Sequence, residues 1–190
     1  MNRDSKFENL FKNPIILDLV EKIIGKPFVL SLQNGVINRP NLEHHQSSWH
    51  RDLPYQEWVI SKPLALNAFC CLTDFTNDNG STEFLPFSHK IEIAPSDDYF
   101  EKNKIKVIAP AGSVIFFDSM VFHRASSNIS DHSRYGINNL FTVPIIKQQI
   151  EIANLVKNKN LSELDKMLFG INFLTPKNVF DYRNKKFNKS

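Results

Sequence analysis

The stretch Trp49-His50-Arg51-Asp52 places an imidazole and a carboxylate two positions apart. Successive side chains of an extended strand point to opposite faces, so we expect His50 and Asp52 to share one face and Arg51 to point away. An imidazole and a carboxylate held side by side on a strand supply two ligands of a metal site. Such a site needs a third ligand from another part of the chain.

The candidate third ligand is His123, one of 6 histidines. It lies in the apolar segment Val121-Phe122-His123-Arg124, after the predicted strand Ser113 to Phe117. Two histidines and one carboxylate can occupy one face of an iron octahedron and leave three positions open, as in non-haem Fe(II) oxygenases. The residues alone leave a second interpretation open, in which His50 and Asp52 form a satisfied polar pair and His123 is an unrelated core histidine.

Arg134 lies 11 residues after His123, across a polar turn. If the two segments form adjacent antiparallel strands, Arg134 begins the return strand beside the metal. Its planar guanidinium suits bidentate binding of a carboxylate. A dicarboxylate that chelates iron through a 2-oxo acid end would direct its far carboxylate toward this position. Arg134 alone would be interpreted as a surface arginine, but together with His50, Asp52 and His123 it favours a 2-oxo acid site.

Composition indicates an ordinary globular protein. The 190 residues are expected to form one domain, 1–190, with 42% hydrophobic and 23% charged residues. A net charge of +3 gives no indication of a nucleic-acid partner. No apolar run approaches the roughly 20 residues that span a bilayer, so no membrane partner is expected. The two cysteines, Cys70 and Cys71, are adjacent and unsuited to a mutual disulfide, which favours a reducing, cytoplasmic setting.

The hydrophobic pattern predicts a mainly β domain with helices at both ends. The first helix begins at Pro14, with Asn13 as its cap, and stops at Gly25. From Phe28 onward, short apolar segments alternate with turn residues roughly every 8–12 positions, which is typical of a sandwich or barrel. The predicted strands are Phe28 to Gln33, Trp49 to Asp52, Leu64 to Thr73, Thr82 to Pro86, Ile105 to Ala109, Ser113 to Phe117, Met120 to Arg124 and Tyr135 to Val143. After Pro144 the pattern becomes helical again.

With these motifs the chain resembles the phytanoyl-CoA dioxygenase-like branch of the Fe(II)/2-oxoglutarate-dependent oxygenases, from about Asn13 to the C-terminus. The resemblance rests on Trp49 to Asp52, Asn79 to Thr82, Pro86 to Lys90, Ala111 to Asp118, His123, Asn128 and Arg134. It implies a double-stranded β-helix, that is, a jelly-roll or cupin-like barrel, with flanking N- and C-terminal helices.

The resemblance also implies a set of site residues and an activity. His50, Asp52 and His123 would hold Fe(II), and Arg134 would bind the distal carboxylate of the co-substrate 2-oxoglutarate. With O2, such an enzyme hydroxylates an unactivated C–H bond of a small-molecule substrate. Related halogenases lack the carboxylate ligand, so Asp52 favours hydroxylation over halogenation.

Related oxygenases place further co-substrate contacts on the strand before the His-X-Asp motif, and Gln33 and Asn38 are the candidates here. In that strand Phe28, Leu30 and Leu32 alternate with polar and smaller residues, which predicts one apolar face with Gln33 on the other.

Two further segments are expected to lie near the pocket. Asn67 or Thr73, on one face of the strand Leu64 to Thr73, could line it. In the loop that follows the metal strand, Tyr55 and Trp58 could cover a substrate or pack on the barrel rim.

Two other classes of protein fit part of the sequence. The chain begins almost at the helix of Pro14, whereas the family commonly carries an extra strand and helix before it. A degenerate metal-binding jelly-roll that acts as an interaction module would fit this, and an uncovered sheet edge would permit an oligomer. A cupin-type isomerase or ion-binding protein would normally offer more histidines and gives Arg134 no role. Specific dependence on 2-oxoglutarate separates the oxygenase from both.

Overall fold

Two antiparallel sheets form the body of the chain in a computed structural model that describes residues 5–53, 56–156 and 160–187. The strands in these ranges are β1 (Val29–Asn38), β2 (Ala65–Cys71), β3 (Thr82–Phe84), β4 (Ile105–Lys106), β5 (Val114–Asp118), β6 (His123–Ala125) and β7 (Arg134–Thr142). The larger sheet has the order β1-β7-β2-β5 and the smaller one β4-β3-β6. The expectation of a mainly β fold is confirmed, and the arrangement is consistent with a jelly-roll.

Helices lie before, between and after the strands, as α1 (Ser5–Phe11), α2 (Pro14–Ile24), α3 (Asp97–Asn103), α4 (Glu163–Leu168) and α5 (Val179–Phe187). The predicted bounds of α2 are confirmed, because the Asn13 side chain accepts a hydrogen bond from the Ile15 amide and Gly25 ends the helix at φ 85°. The sequence interpretation missed α1, since it took the helix at Pro14 as the first element, and it missed α3, whose N-cap Ser96 accepts from the Tyr99 amide. In the described ranges no helix is long and apolar enough to cross a membrane.

The main hydrophobic core lies between the larger sheet and the helices. It is built from buried side chains of α1, α2 and α4 that pack on one face of β1, β2 and β7. We call this the outer face of the sheet. The buried members are Phe11, Ile16, Val20, Ile24, Phe28, Leu30, Leu66, Ala68, Cys70, Ile137, Phe141, Ile152, Met167, Leu168 and Phe169. The opposite, inner face of the sheet is therefore free to form the wall of a site.

A β-bulge in β1 changes which residues face the helices. Leu30 pairs with Phe141 and Leu32 with Leu140, so Ser31 is an extra residue between two consecutive pairs. Leu30 packs in the main core, whereas Leu32 packs with Leu140 in a separate cluster on the inner side. The prediction of one continuous apolar face through Phe28, Leu30 and Leu32 is wrong for this reason.

The predicted strand Trp49 to Asp52 is reduced to a single bridge between His50 and His123. Asp52 lies in a bend, where its amide donates to the Ser119 carbonyl at 3.0 Å and draws the chain out of a ladder. The His123 and Arg134 strands are also not adjacent, so the condition on which Arg134 was placed beside the metal is not met. β6 belongs to the smaller sheet and β7 to the larger, so the two residues face each other across the space between sheets.

Candidate metal centre

His50, Asp52 and His123 converge on one point between the two sheets. Their candidate ligand atoms all lie within 4.8 Å of one another. Asp52 Oδ1 lies 4.0 Å from His50 Nε2 and 3.7 Å from His123 Nε2. The structure thus brings together the three residues that the sequence predicts as ligands.

Backbone pairing fixes the two histidines relative to each other. The His50 amide donates to the His123 carbonyl at 3.1 Å, and the reverse bond is 3.0 Å long. Each ring also turns its Nδ1 toward the carbonyl two residues earlier, that of Ser48 at 2.9 Å or Val121 at 3.0 Å. Donation from Nδ1 selects the tautomer in which Nε2 carries a free lone pair, as metal ligation requires.

The donor set fits a divalent metal ion such as Fe(II). His50 Nε2 is buried and has no hydrogen-bond partner in the described chain, which is costly unless another group binds it. Burial lowers the pKa of His123 below its usual range, although the nearby Asp52 carboxylate opposes this, so the imidazole is neutral at pH 7. Two imidazoles and one carboxylate, without a thiolate, are ligands that non-haem iron accepts.

Arg134 is buried on the same side of the larger sheet, with 1% of its surface exposed. Its Nε and Nη2 donate to the Gly80 carbonyl at 3.2 and 2.7 Å. Nη1 is buried with no hydrogen-bond partner in the described residues. Burial lowers the pKa of Arg134 to about 10, so the guanidinium stays charged at pH 7, and none of the described residues supplies a counter-ion.

One narrow cavity, with about 30 Å³ of free interior volume, joins the candidate metal ligands to Arg134. Both sheets contribute to its wall, and Val36, Phe69 and Phe117 supply the apolar part. The site therefore has a candidate metal centre at one end, a free guanidinium proton donor at the other, and a cleft between them.

Sequence comparison identifies the family of this fold and site. A family model described as phytanoyl-CoA dioxygenase (PhyH) matches residues 1–136. The chain belongs to the PhyH family.

Relatives of this PhyH chain include an uncharacterized protein of Mycobacterium tuberculosis, 33% identical over 159 residues that cover 80% of the chain and 56% of that protein. The dioxygenase af480 of Aspergillus fumigatus is 29% identical over 135 residues, covering 67% of the chain and 41% of that protein. The chain thus spans about half the length of these relatives. The nickel complex of the non-haem monooxygenase ThoJ superposes with a TM-score of 0.55 over 73% of the chain and 54% of ThoJ, at 22% identity. The family and the relatives support an oxygenase.

The two further co-substrate candidates of the PhyH chain do not reach the cavity in this structure. Gln33 lies on the outer face, where its amide donates to the Phe7 carbonyl at 3.0 Å and to Asn139 Oδ1 at 2.9 Å. Asn38 lies on the inner face beside Arg134 but is fully buried and donates to the carbonyls of Gly80 and Ser126 at 3.0 and 2.9 Å. Asn38 thus supports the same carbonyl that anchors Arg134.

Of the other expected pocket residues, Asn67 binds the metal-ligand carboxylate. Its Nδ2 lies 2.6 Å from Asp52 Oδ2. Thr73 instead accepts from the Tyr135 amide at 3.0 Å, outside the cavity lining. Trp58 is half exposed, and Tyr55 lies outside the described residues.

Sequence reasoning missed Asn138 and Ser119. Asn138 lines the cavity of the PhyH chain, and Ser119 donates to Asn67 Oδ1 at 2.5 Å. Asn138 was detectable, because it lies four positions after Arg134 in a strand and therefore shares its face. Ser119 carried no such signal, since its position depends on the turn between β5 and β6.

Proposed function

We propose that the chain is an Fe(II)- and 2-oxoglutarate-dependent dioxygenase with a jelly-roll fold, which hydroxylates an unactivated C–H bond of a small-molecule metabolite. One observation carries the proposal. A two-histidine, one-carboxylate cluster within 4.8 Å opens onto the same cavity as a buried arginine that has no counter-ion in the described part of the chain.

Each residue has a defined task in this proposal. His50 Nε2, Asp52 Oδ1 and His123 Nε2 would hold the iron, and Arg134 Nη1 would donate to the distal carboxylate of 2-oxoglutarate. When bound, iron and 2-oxoglutarate supply the oxidation by O2, with succinate and CO2 as co-products. Asp52 keeps its ligand position filled, which supports hydroxylation over halogenation.

Arg134 supports a dicarboxylate in particular. A buried cation is unfavourable unless an anion or several acceptors compensate it. The Gly80 carbonyl accepts from two of its nitrogens, and the ring of Phe75 lies 4.5 Å from its Cζ, but the described residues supply no carboxylate. A carboxylate in the cavity would complete this set and receive a charge-assisted hydrogen bond.

The apolar residues of the cavity have a supporting task. Val36, Phe69 and Phe117 limit the water that can enter between the metal centre and Arg134. A dry cleft strengthens the charge interactions of both ends with a bound ligand. The small-molecule partner, the absence of nucleic-acid and membrane partners, and the cytoplasmic location stay predictions.

The proposal is tested by succinate release from 2-oxoglutarate in the presence of Fe(II), O2 and ascorbate, first alone and then with a panel of metabolites. Asp52→Ala removes a metal ligand and should abolish succinate release. Arg134→Lys keeps the charge but loses the planar fork. It should weaken 2-oxoglutarate binding about tenfold or more, because one hydrogen bond to a charged group contributes about 1.5–3 kcal/mol.

Gln33→Ala is the control, because Gln33 lies on the outer face and should leave 2-oxoglutarate affinity unchanged. Binding is measured anaerobically with Fe(II) present, so that it does not depend on finding the substrate. Absence of 2-oxoglutarate binding to the wild-type protein would overturn the proposal and favour a degenerate jelly-roll. Tight binding that Arg134→Lys does not alter would remove Arg134 from the site.

A further inference from the structure

Asn67 lies at the centre of a buried network that ends on Asp52. It is fully buried in β2, and its Nδ2 donates to Asp52 Oδ2 at 2.6 Å and to Asn138 Oδ1 at 3.1 Å. Ser119, also fully buried, donates its hydroxyl proton to Asn67 Oδ1 at 2.5 Å. Every polar atom of the Asn67 side chain therefore has a partner.

The chemistry of these partners fixes the orientation of the Asn67 amide. A carboxylate oxygen accepts hydrogen bonds, so the NH2 group must face Asp52. The amide oxygen must then face Ser119, whose hydroxyl can donate to it. The reverse orientation would place two oxygens 2.6 Å apart and leave the NH2 group against a hydroxyl.

The two oxygens of Asp52 consequently have different surroundings. Oδ2 is occupied by Asn67, whereas Oδ1 faces His50 Nε2 and His123 Nε2 at 4.0 and 3.7 Å. Ser119 also fixes the backbone of Asp52, because the Ser119 carbonyl accepts a hydrogen bond from the Asp52 amide at 3.0 Å. The main chain and the side chain of Asp52 are thus fixed by one turn and one strand residue.

We propose that Asn67 is a positioning residue that holds Asp52 as a one-oxygen metal ligand, and that Ser119 sets its orientation. Without the bond from Asn67 the carboxylate is free to rotate about its Cβ–Cγ bond and to leave the Oδ1 position. The role rests on the proposed metal centre and concerns only how the carboxylate is held. Partners of this type typically change metal affinity by about 10- to 100-fold when removed.

Asn139 provides a matched control on the opposite face of the sheet. It is also a fully buried asparagine in a central strand, where it donates to the Ala68 carbonyl at 3.1 Å and contacts Cys70 Sγ at 3.5 Å. It has no contact with the metal ligands. A substitution there imposes a similar structural cost without touching Asp52.

The experiment titrates cobalt(II) into metal-free protein and follows its visible absorption, which reports both affinity and ligand geometry. Asn67→Ser should raise the cobalt dissociation constant about 10- to 100-fold and change the spectrum. Ser119→Ala should act in the same direction with a smaller effect. Asn139→Ser should lower the melting temperature of the metal-free protein and leave the cobalt affinity and spectrum unchanged.

Wild-type affinity in a folded Asn67→Ser variant would overturn the role of Asn67 and leave the metal centre standing. If Asn67→Ser does not fold, Ser119→Ala decides, and an unchanged dissociation constant and spectrum in that variant overturn the proposal. An equal loss of affinity in Asn139→Ser would show a general structural effect and also overturn it. Failure of the wild-type protein to bind cobalt would overturn the proposed metal centre itself, which is a separate result.

Discussion

His44 is a buried histidine outside the metal-ligand cluster. Only 8% of the surface of this residue is exposed, and its Nδ1 accepts a hydrogen bond from the Gln46 amide at 3.1 Å. Burial lowers the pKa of His44 to about 4, and electrostatic interactions with His45 and Arg134 act in the same direction. The imidazole is therefore neutral in the folded protein at pH 7.

This neutrality predicts a pH-dependent loss of stability. A histidine with a lowered folded-state pKa contributes its full stability above the unfolded pKa of about 6.5 and loses it as the pH falls toward 4. His44→Asn keeps an acceptor for the Gln46 amide but does not titrate. In metal-free protein, the melting temperature of the wild type should fall relative to that of the variant between about pH 6.5 and 4. Parallel melting curves across this range would contradict the prediction.

Most of the metal-centre residues could be predicted from the sequence because their chemistry is unusual. Two histidines, an aspartate and an arginine at these spacings have few structural reasons to occur together. The role of Gln33 was not predictable from alternation, because the extra residue at Ser31 moves Gln33 to the helix side. The contacts of Asn67 and Ser119 that hold Asp52 were also not predicted. Asparagine and serine are common in turns and strands, and only the folded chain brings these two residues to the carboxylate.

At the scale of the elements, β7 is the strand on which the site depends, because it carries both Arg134 and Asn138. Between them lies Gly136, which pairs with Val36 on one side and Cys71 on the other. A Cβ atom added at Gly136 would lie 2.4 Å from Phe69 Cε2 and 3.2 Å from the Cys70 carbonyl. The strand can approach its neighbour and the Phe69 ring this closely only because the residue is glycine.

Gly136→Ala should therefore lower the free energy of unfolding by about 1–3 kcal/mol, the usual cost of overpacking. It should also weaken 2-oxoglutarate binding, because relief of the clash moves Phe69 or β7. Gly35→Ala is the control in the adjacent strand, where the nearest atom to the new Cβ would be Ile137 Cδ1 at 3.9 Å. Urea denaturation compares the two variants, and equal stability losses would argue against the close contact at Gly136.

At the scale of the whole molecule, the site joins the two sheets. His123 belongs to the smaller sheet, Arg134 to the larger, and His50 and Asp52 to the segment between β1 and β2. The sequence predicted these elements, but the placement of Arg134 supposed that the His123 and Arg134 strands are adjacent in one sheet. Strand periodicity defines which residues share a face, whereas the partner of each strand depends on packing between elements far apart in the chain.

A ligand that binds both ends of the cleft should therefore stabilise the whole described fold. Cobalt(II) with 2-oxoglutarate at a hundred times the dissociation constant should add about 2.7 kcal/mol. For a chain of this size the melting temperature should rise by roughly 5–11 °C. Thermal denaturation with and without the ligands measures the shift, and Asp52→Ala should abolish most of it. An equal shift in that variant would place the binding elsewhere.

The bulge at Ser31 shifts the alternation of the first strand by one residue. Up to Leu30 the even-numbered residues of the first strand pack against the helices, and from Leu32 onward the even-numbered residues lie on the inner face of the sheet. If an alignment with a relative places one gap too many or too few at Ser31, residues of the helix-facing side are matched to residues of the inner face. Positions in the two proteins therefore have to be matched from Asn34 and not from the start of the strand.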